Sequence, residues 1–172
     1  MIVDARPANQ RFKVAPRMPI GGSSSWGSLN LPAGETLWVG QYDVEAYFYR
    51  CGIPASIGRY FCLPTVSSSF VASCSSIGGK DPQRPWYPYL TVMPMGWSWA
   101  MWFAQRLHVK AHLVAGFSPS DLIVDGQPAE CLSKDRVLAM PYCDNGNIIG
   151  LDPELGENKS SEVRIVLESW GF

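Results

Sequence analysis

Two aspartates follow apolar runs of the kind that form β-strands. Asp43 comes directly after the run LWVGQY, and Asp144 lies in the segment CDNGN that follows the apolar residues 137–142. Carboxylates are the oxygen ligands that hard divalent cations take, so two of them at the ends of strands could hold metal ions. The structural alternative is that Asp43 caps the following turn and that Asp144 only tolerates tight turn geometry.

Two histidines form a second candidate ligand pair. His108 and His112 are four residues apart in a segment with helical spacing, so they could share one face of a helix and bind a metal. Neither a glutamate nor a third ligand accompanies them in the motif. Ordinary packed or surface histidines are therefore the favoured interpretation.

The elements that would position these residues belong to an α+β fold. Residues 37–42 predict a short buried strand that delivers Asp43 at its end. The Asn-Gly pair within CDNGN predicts the turn of a β-hairpin with Asp144 at its tip. The other predicted elements are two apolar strands (59–64 and 89–97), a short helix after Asp43 that Gly52 and Pro54 stop, and two loops (21–36 and 65–88), the second of them a mobile loop or hairpin.

Two longer helices are predicted behind these strands. The first runs from about Trp99 to Ala115, with Ser98 as its N-cap and Gly116 as its stop. Its apolar face consists of residues at helical spacing: Ala100, Phe103, Ala104, Leu107 and Ala111. The second has a face made of Val163, Val166, Leu167 and Trp170, a cap at Ser160 or Ser161 and an end at Gly171. Together these elements predict a layer of antiparallel strands backed by two helices.

Composition argues against several classes of protein. The chain has 172 residues, 47% of them apolar, which fits one globular domain. The sequence contains no run of about 18 apolar residues, so no membrane helix is predicted. The charged first residues do not form a secretory signal. We therefore expect an intracellular protein without membrane contact. Five cysteines without a CxxC spacing predict reduced thiols rather than a disulfide framework or a zinc ribbon.

Charge is distributed unevenly along the chain. Residues 1–110 contain ten Lys and Arg against five Asp and Glu, a net charge of +5, and residues 111–172 contain four against ten, a net charge of −6. A basic front could contact a phosphate backbone, and an acidic rear could gather metal ions. Two unevenly charged solvated surfaces are the alternative.

Four segments, taken in order, resemble the motifs of reverse transcriptases. They are IVDARPAN at residues 2–9, DVEAYFYR at residues 43–50, VMPMGWSWAMWFAQ at residues 92–105 and YCDNGNIIG at residues 142–150. The first is similar to a strand of the fingers and the second to the segment with the first catalytic aspartate. The third is similar to the Leu-Pro-x-Gly segment with its helix, and the fourth to the Tyr-x-Asp-Asp hairpin. The resemblance covers nearly the whole chain.

The resemblance implies an RNA-directed DNA polymerase site. Asp43 and Asp144, with the carbonyl of Val44, would bind two Mg²⁺ ions about 3.5–4 Å apart, as two-metal phosphoryl transfer requires. Asn145 would be the third catalytic position. Partners would be an RNA or DNA template with its primer and deoxynucleoside triphosphates.

The same resemblance implies the residues that contact nucleotide and template. The nucleotide pocket would contain Val44, Tyr47, Phe48, Met95 and Gly96. In that pocket Phe48 would be the aromatic gate against ribonucleotides, with Tyr47 as the competing candidate. The template contacts would be Asp4, Arg6 and Asn9.

The match departs from the family at the hairpin, where Asn145 replaces the second aspartate. An amide offers a carbonyl oxygen but no charge, so we expect weakened rather than abolished catalysis. The resemblance further implies a palm at 37–172, a loop-rich insertion at 65–88 and a fingers remnant with a loop at 1–36. The thumb and the remainder of a retroelement polyprotein would be missing. The alternatives are a catalytically inactive remnant that at most binds nucleic acid and an unrelated structural domain.

Overall fold

The computed structural model describes residues 4–73, 85–128 and 131–172. Residues 2–3 of the segment that resembles a fingers strand and residues 74–84 of the predicted loop lie outside these ranges. The helices are α1 (Arg6–Asn9), α2 (Ser23–Gly27), α3 (Tyr47–Arg50), α4 (Ala55–Gly58), α5 (Ser68–Ser73), α6 (Ala100–Val114) and α7 (Pro153–Ser169), and the strands are β1 (Trp38–Asp43), β2 (Val137–Tyr142) and β3 (Asn145–Gly150). No helix in the described ranges is long and apolar enough to cross a membrane.

A three-stranded antiparallel sheet lies at the centre of the molecule, in the order β1-β3-β2. Along β3, Gly150 pairs with Trp38 of β1 and Val137 of β2, and Asn145 pairs with Asp43 and Tyr142. Helices α6 and α7 pack together and against the sheet. The predicted α+β class, with antiparallel strands backed by two helices, is confirmed, and so is the short helix after Asp43, which is α3.

The central strand β3 is covered on both faces. Successive residues of a strand point to opposite sides of the sheet, and both Ile148 and Ile149 are fully buried. Ile148 belongs to the core that α6 and α7 share with the sheet. Ile149 belongs to a second cluster on the other side, with Ile123, Leu132, Leu138 and Met140. Because each aliphatic side chain of this size contributes about 1.5–3 kcal/mol when buried, β3 is anchored from both sides.

Two glycines allow Trp38 to lie between β1 and α7. A Cβ at Gly40 or at Gly156 would overlap the Trp38 ring. Because neither position carries a side chain, the indole packs across the strand and against the backbone of α7. This close approach places α7 on the same face of β1 as Trp38.

Helix α6 turns a partly polar face toward the core. The predicted apolar face is correct for its three alanines, but Phe103 is exposed and Leu107 is only half-buried. The buried residues of the helix are Ala100, Ala104, Gln105, His108, Ala111 and His112. Alanines let the helix come close, and the polar side chains then reach the backbone of the strands. The predicted cap at Ser98 is also wrong, because Trp99 occupies the N-cap position without a side-chain hydrogen bond.

Helix α7 begins earlier than predicted. Its N-cap is Asp152, whose side chain accepts hydrogen bonds from the backbone N–H groups of Glu154 and Leu155, and Pro153 fills the first turn. These are strong start signals for a helix, whereas Ser160 and Ser161 lie within it. The predicted end is confirmed, since Gly171 follows the helix with a φ of 91°.

The strands predicted at 59–64 and 89–97 are wrong. Instead of ladders, these segments form isolated bridges, Cys62 with Tyr89 and Val92 with Gly52. Prolines in both segments remove the N–H donors that a longer ladder needs. The predicted loops also contain helices: Ser23–Gly27 forms α2 and Ser68–Ser73 forms α5.

Candidate active site

The sheet places three site residues in one row. Asp43, Asn145 and Tyr142 are direct partners across β1, β3 and β2. Paired residues of an antiparallel sheet point to the same face, with Cβ atoms about 4.5–5.5 Å apart. Tyr42 points to the opposite face, where it contacts α6. Asp43 and Tyr142 are exposed and Asn145 is half-buried, so the row is open to solvent.

Asp144 joins this row through two hydrogen bonds. Its backbone carbonyl accepts from the N–H of Val44 at 2.8 Å, which fixes the chain after Asp43 to the hairpin. Its carboxylate oxygen Oδ1 accepts from the side-chain amide of Asn145 at 3.1 Å. Asp43, Val44, Asp144 and Asn145 are therefore neighbours.

The hairpin turn consists of Cys143 and Asp144, not of the Asn-Gly pair. Tyr142 pairs with Asn145, which leaves two residues in the turn and puts Asn145 and Gly146 into β3. Cys143 has a φ of 50°, in the left-handed region that a residue with a side chain adopts at a cost. Burial raises the pKa of its thiol to about 11, so this side chain is a neutral core residue.

Gln105 of α6 holds the turn in this conformation. Its side-chain nitrogen donates to the carbonyl of Pro141 at 2.8 Å, and its side-chain oxygen accepts from the N–H of Cys143 at 2.7 Å. Gln105 is itself buried, so both bonds lie away from water, where an unpaired polar group is costly. A glutamine on the buried face of a helix was the sequence signal for this contact, and the prediction missed it.

A second buried network connects α6 to both carboxylate-bearing segments. Tyr42 Oη lies 2.7 Å from Nε2 of His108 and 3.1 Å from Nε2 of His112. Nδ1 of His108 lies 2.7 Å from the carbonyl oxygen of Cys143. His108 therefore contacts the residue before Asp43 and the residue before Asp144.

Both imidazoles in this network are neutral at physiological pH. Burial lowers the pKa of His108 to about 3, with a further contribution from His112, and lowers the pKa of His112 to about 4. Burial also raises the pKa of the Tyr42 phenol far above its ordinary value. The two histidines are packed residues in this state, as the favoured interpretation had it.

The site around Asp43 contains few side chains that could bind a metal ion. In the part of the chain that the structure describes, no three His, Cys, Asp or Glu side chains come together as metal ligands. Mg²⁺ in nucleotide-handling sites takes one or two carboxylates and completes its shell with phosphate oxygens and water. Asp43 and Asp144 can supply the carboxylates, while Asn145 adds no charge.

The two candidates for the aromatic gate have different environments. Tyr47 is fully buried, and its hydroxyl donates to the carbonyl of Ala104 at 3.1 Å. Phe48 is half-buried and packs edge-on against Tyr47. Tyr47 thus fills the core between α3 and α6, which leaves Phe48 as the candidate with an open side.

The segments predicted to contact template and nucleotide meet at Asn9. Its side-chain nitrogen donates to the carbonyl of Gly96 at 2.9 Å, and its side-chain oxygen accepts from the N–H of Ser98 at 2.9 Å. Gly96 has a φ of 104°, and its neighbour Met95 is exposed. Asn9 therefore fixes the turn before α6, and its contact with a template stays a prediction.

Asp4 and Arg6 pair with each other at the surface. The guanidinium donates through Nε at 2.9 Å and Nη2 at 2.8 Å to the two carboxylate oxygens. The hydrogen bonds from Arg6 lower the pKa of Asp4 to about 2. Arg6 would have to leave this exposed pair to bind a phosphate with the same nitrogen atoms.

A cleft of about 470 Å³ lies between the end of β1 and α7. Of the predicted site residues described here, Asp43 and Val44 line it, whereas Phe48, Met95 and Gly96 do not. The cleft also contains two arginines, Arg50 and Arg164. Asp43 and Val44 therefore line a cleft that the other predicted nucleotide contacts do not share.

Comparison with known proteins assigns the chain to no family. A scan against models of protein families finds no match to the chain, and a search of curated proteins finds none either. The roles of the site residues therefore rest on the residues themselves and on how the sheet arranges them.

Proposed function

We propose that the chain is a palm-type nucleotidyltransferase domain of the reverse transcriptase kind. It would add deoxynucleotides to a primer on an RNA or DNA template and would belong to a retroelement polyprotein. The observation that carries the proposal is the alignment of Asp43 with Asn145 across β1 and β3, with Asp144 beside them. This arrangement of two strand-end carboxylates supports the proposal, because metal-assisted phosphoryl transfer needs oxygen ligands for Mg²⁺ that lie close together.

Asp43, Asp144 and the carbonyl of Val44 would hold the magnesium ions in this proposal. Magnesium bound there would stabilise the negative charge that develops on the transferred phosphoryl group and on the leaving pyrophosphate. The chain itself contributes positioning. The hydrogen bond from Val44 N–H to Asp144 fixes the two segments relative to each other, and Gln105 fixes the turn.

Phe48 and Met95 would shape the nucleotide pocket. The open side of Phe48 would pack against the sugar and exclude a 2′-hydroxyl, which sets a preference for deoxynucleotides. Met95 is exposed directly before Gly96, where a positive φ lets the backbone turn closely.

The experiment is primer extension by the purified 172-residue chain with Mg²⁺, deoxynucleotides and an RNA template annealed to a DNA primer. Wild type is compared with Asp43→Asn and with a matched control, Asp135→Asn, which removes an exposed carboxylate elsewhere. We expect wild type to extend the primer in a magnesium-dependent reaction. Loss of an outer-shell partner of a metal lowers activity roughly 10- to 100-fold, and Asp43→Asn should lower extension by more than that. Extension that is equal in all three proteins would refute the assignment of Asp43.

A second candidate function is nucleic-acid binding without catalysis. It is favoured by the amide of Asn145, which donates to Asp144 where the family has a second acid. In this case fluorescence anisotropy would detect binding of labelled RNA that weakens with salt, since phosphate contacts release counterions. Binding together with no extension by wild type or by Asn145→Asp would establish this alternative over the polymerase.

A further inference from the structure

We propose that Tyr42, His108 and His112 form a buried binding site for one transition metal ion, with Zn²⁺ as the ion. The site lies on the helix side of the sheet, whereas Asp43 lies on the open face. The inference uses none of the residues that would hold magnesium and does not depend on the proposed function.

Both Nε2 atoms face the same phenol oxygen in the core. Tyr42 Oη is 2.7 Å from His108 Nε2 and 3.1 Å from His112 Nε2, and both imidazoles are fully buried. With bonds of about 2.0 Å to zinc, two ligands at a tetrahedral angle lie about 3.3 Å apart. The observed separations are slightly shorter, so the three side chains would move apart to admit the ion. The sequence lacked a third ligand beside the HxxxH pair, and β1 supplies it.

The outer nitrogen atoms are arranged as in known metal-binding histidines. Nδ1 of His108 lies 2.7 Å from the Cys143 carbonyl, and Nδ1 of His112 lies 3.0 Å from the His108 carbonyl. A carbonyl only accepts, so each Nδ1 carries the hydrogen and each Nε2 presents a lone pair to Tyr42. A second N–H bonded to a backbone carbonyl is the usual way in which proteins orient a ligating imidazole and raise its basicity.

Hydrogen counting leaves this network one hydrogen short. Two Nε2 lone pairs face one phenol, which has a single proton, and the shorter contact to His108 takes it. Nε2 of His112 then faces an oxygen that has no hydrogen to offer, although the side chain is completely buried. Protonating His112 would fill the gap but would put an uncompensated charge in the core. A metal ion satisfies all three atoms at once.

Binding exchanges a proton for the ion. The O–H bond of Tyr42 breaks, the proton goes to solvent, and the phenolate oxygen and both Nε2 atoms each form a bond to Zn²⁺. Both Nδ1 hydrogen bonds stay in place. The phenolate cancels one of the two positive charges, and the carbonyls behind the imidazoles stabilise the remainder. Three protein ligands suffice for zinc when a water completes the tetrahedron.

The experiment measures metal binding by the whole chain after unfolding and refolding with ZnCl₂ or CoCl₂, because a closed site takes up its ion as the chain folds. Cys62, Cys74 and Cys131 are replaced by serine in every protein compared, so that these thiols bind no metal. The test variant is Tyr42→Phe, which removes one hydroxyl. The matched control is Tyr47→Phe, which removes a buried hydroxyl that bonds Ala104 instead.

We expect one equivalent of zinc per chain after dialysis, visible absorption from tetrahedral Co²⁺ and an ultraviolet difference band from the ionised phenol. Tyr42→Phe should bind at least about tenfold more weakly, while Tyr47→Phe should match the parent. A parent that retains no metal overturns the proposal, and so does equal binding by Tyr42→Phe. If Tyr42→Phe does not fold, the phenolate band of the parent decides, and its absence with metal bound overturns the assignment of Tyr42.

Discussion

Asp43 and Asn145 face each other across β1 and β3, and the side-chain amide of Asn145 donates to the neighbouring Asp144. The position where a second acid would add negative charge to the site is instead occupied by a hydrogen-bond donor. The amide lowers the repulsion that two or three adjacent carboxylates would experience without a cation. It also lowers the attraction for a divalent ion.

Replacing Asn145 by Asp should make the stability of the chain depend on magnesium. Without Mg²⁺, the added carboxylate faces Asp43 and Asp144, so the melting temperature should fall below that of wild type. Millimolar Mg²⁺ should restore it, because an ion that binds only the folded state stabilises that state. Differential scanning fluorimetry with and without Mg²⁺ measures both effects. The control is Asn158→Asp, which adds the same charge at an exposed position of α7, and equal behaviour of the two variants would contradict a magnesium site.

Gln105→Ala should strongly destabilise the fold, although it changes only one side chain. It leaves the carbonyl of Pro141 and the N–H of Cys143 without partners in the core. An unsatisfied buried group costs about 1–3 kcal/mol, so we expect a loss in that range or above it. Urea unfolding measures the loss. Gln127→Ala, at an exposed position, should change stability by no more than about 0.5 kcal/mol, and a similar small effect at Gln105 would show that the turn does not need this side chain.

Gly146→Ala should displace the Tyr42 ring. A Cβ at Gly146 would overlap the phenol ring, which lies across this glycine on the helix side of β3. Forcing extra volume into a packed core costs typically about 1–3 kcal/mol. Tyrosine fluorescence and urea unfolding would report the shift and the lost stability. Gly27→Ala is the matched control, since a Cβ there meets nothing within 4 Å, and it should be nearly neutral.

Acid should destabilise the chain through its histidines before its carboxylates titrate. His108 and His112 are the only histidines, and their folded-state pKa values are about 3 and 4, below the ordinary 6.5. Below pH 6.5 the unfolded chain binds protons that the folded chain excludes, so stability falls as the pH decreases from 6.5 toward 4. The loss should be on the order of several kcal/mol over this window.

Urea unfolding at a series of pH values measures this dependence. A double variant, His108→Gln with His112→Gln, should show a nearly constant stability down to about pH 5, where only carboxylates begin to titrate. In wild type, the imidazole proton resonances of the folded state should not shift over the same range. Histidine signals that titrate near 6.5 in the folded protein would show that the two side chains are not buried as a neutral pair.

Strong local signals made part of the fold predictable. The apolar run before Asp43 forms β1, the hairpin forms β2 and β3, and the alanine-rich segment forms α6. Each has a clear period and a clear stop. The sequence also contains the start signal of α7, because Asp followed by Pro is a common start for a helix, as at Asp152 and Pro153. The prediction instead placed the cap at Ser160 or Ser161.

The remaining differences arise from contacts between distant parts of the chain. Asn145 and Gly146 would form a turn by local preference, but Gly146 is needed in β3 beneath Tyr42. The turn lies instead at Cys143 and Asp144. The unfavourable φ of Cys143 is stabilised by two hydrogen bonds, one from its N–H to Gln105 and one from His108 to its carbonyl. No local pattern specifies such contacts. Proximity of the predicted catalytic residues was foreseeable, but the buried polar residues behind them were not.

The pairing of β1 with β3 also determines when the site can form. Residue 43 meets residue 145, so the intervening segment, including α6, must be synthesised before β1 finds its neighbour. Closing so long a loop is slow compared with forming a helix or a hairpin. Until then β1 has two open edges and is exposed to wrong partners. A nascent chain that stops before β3 would contain Asp43 without a strand to hold it.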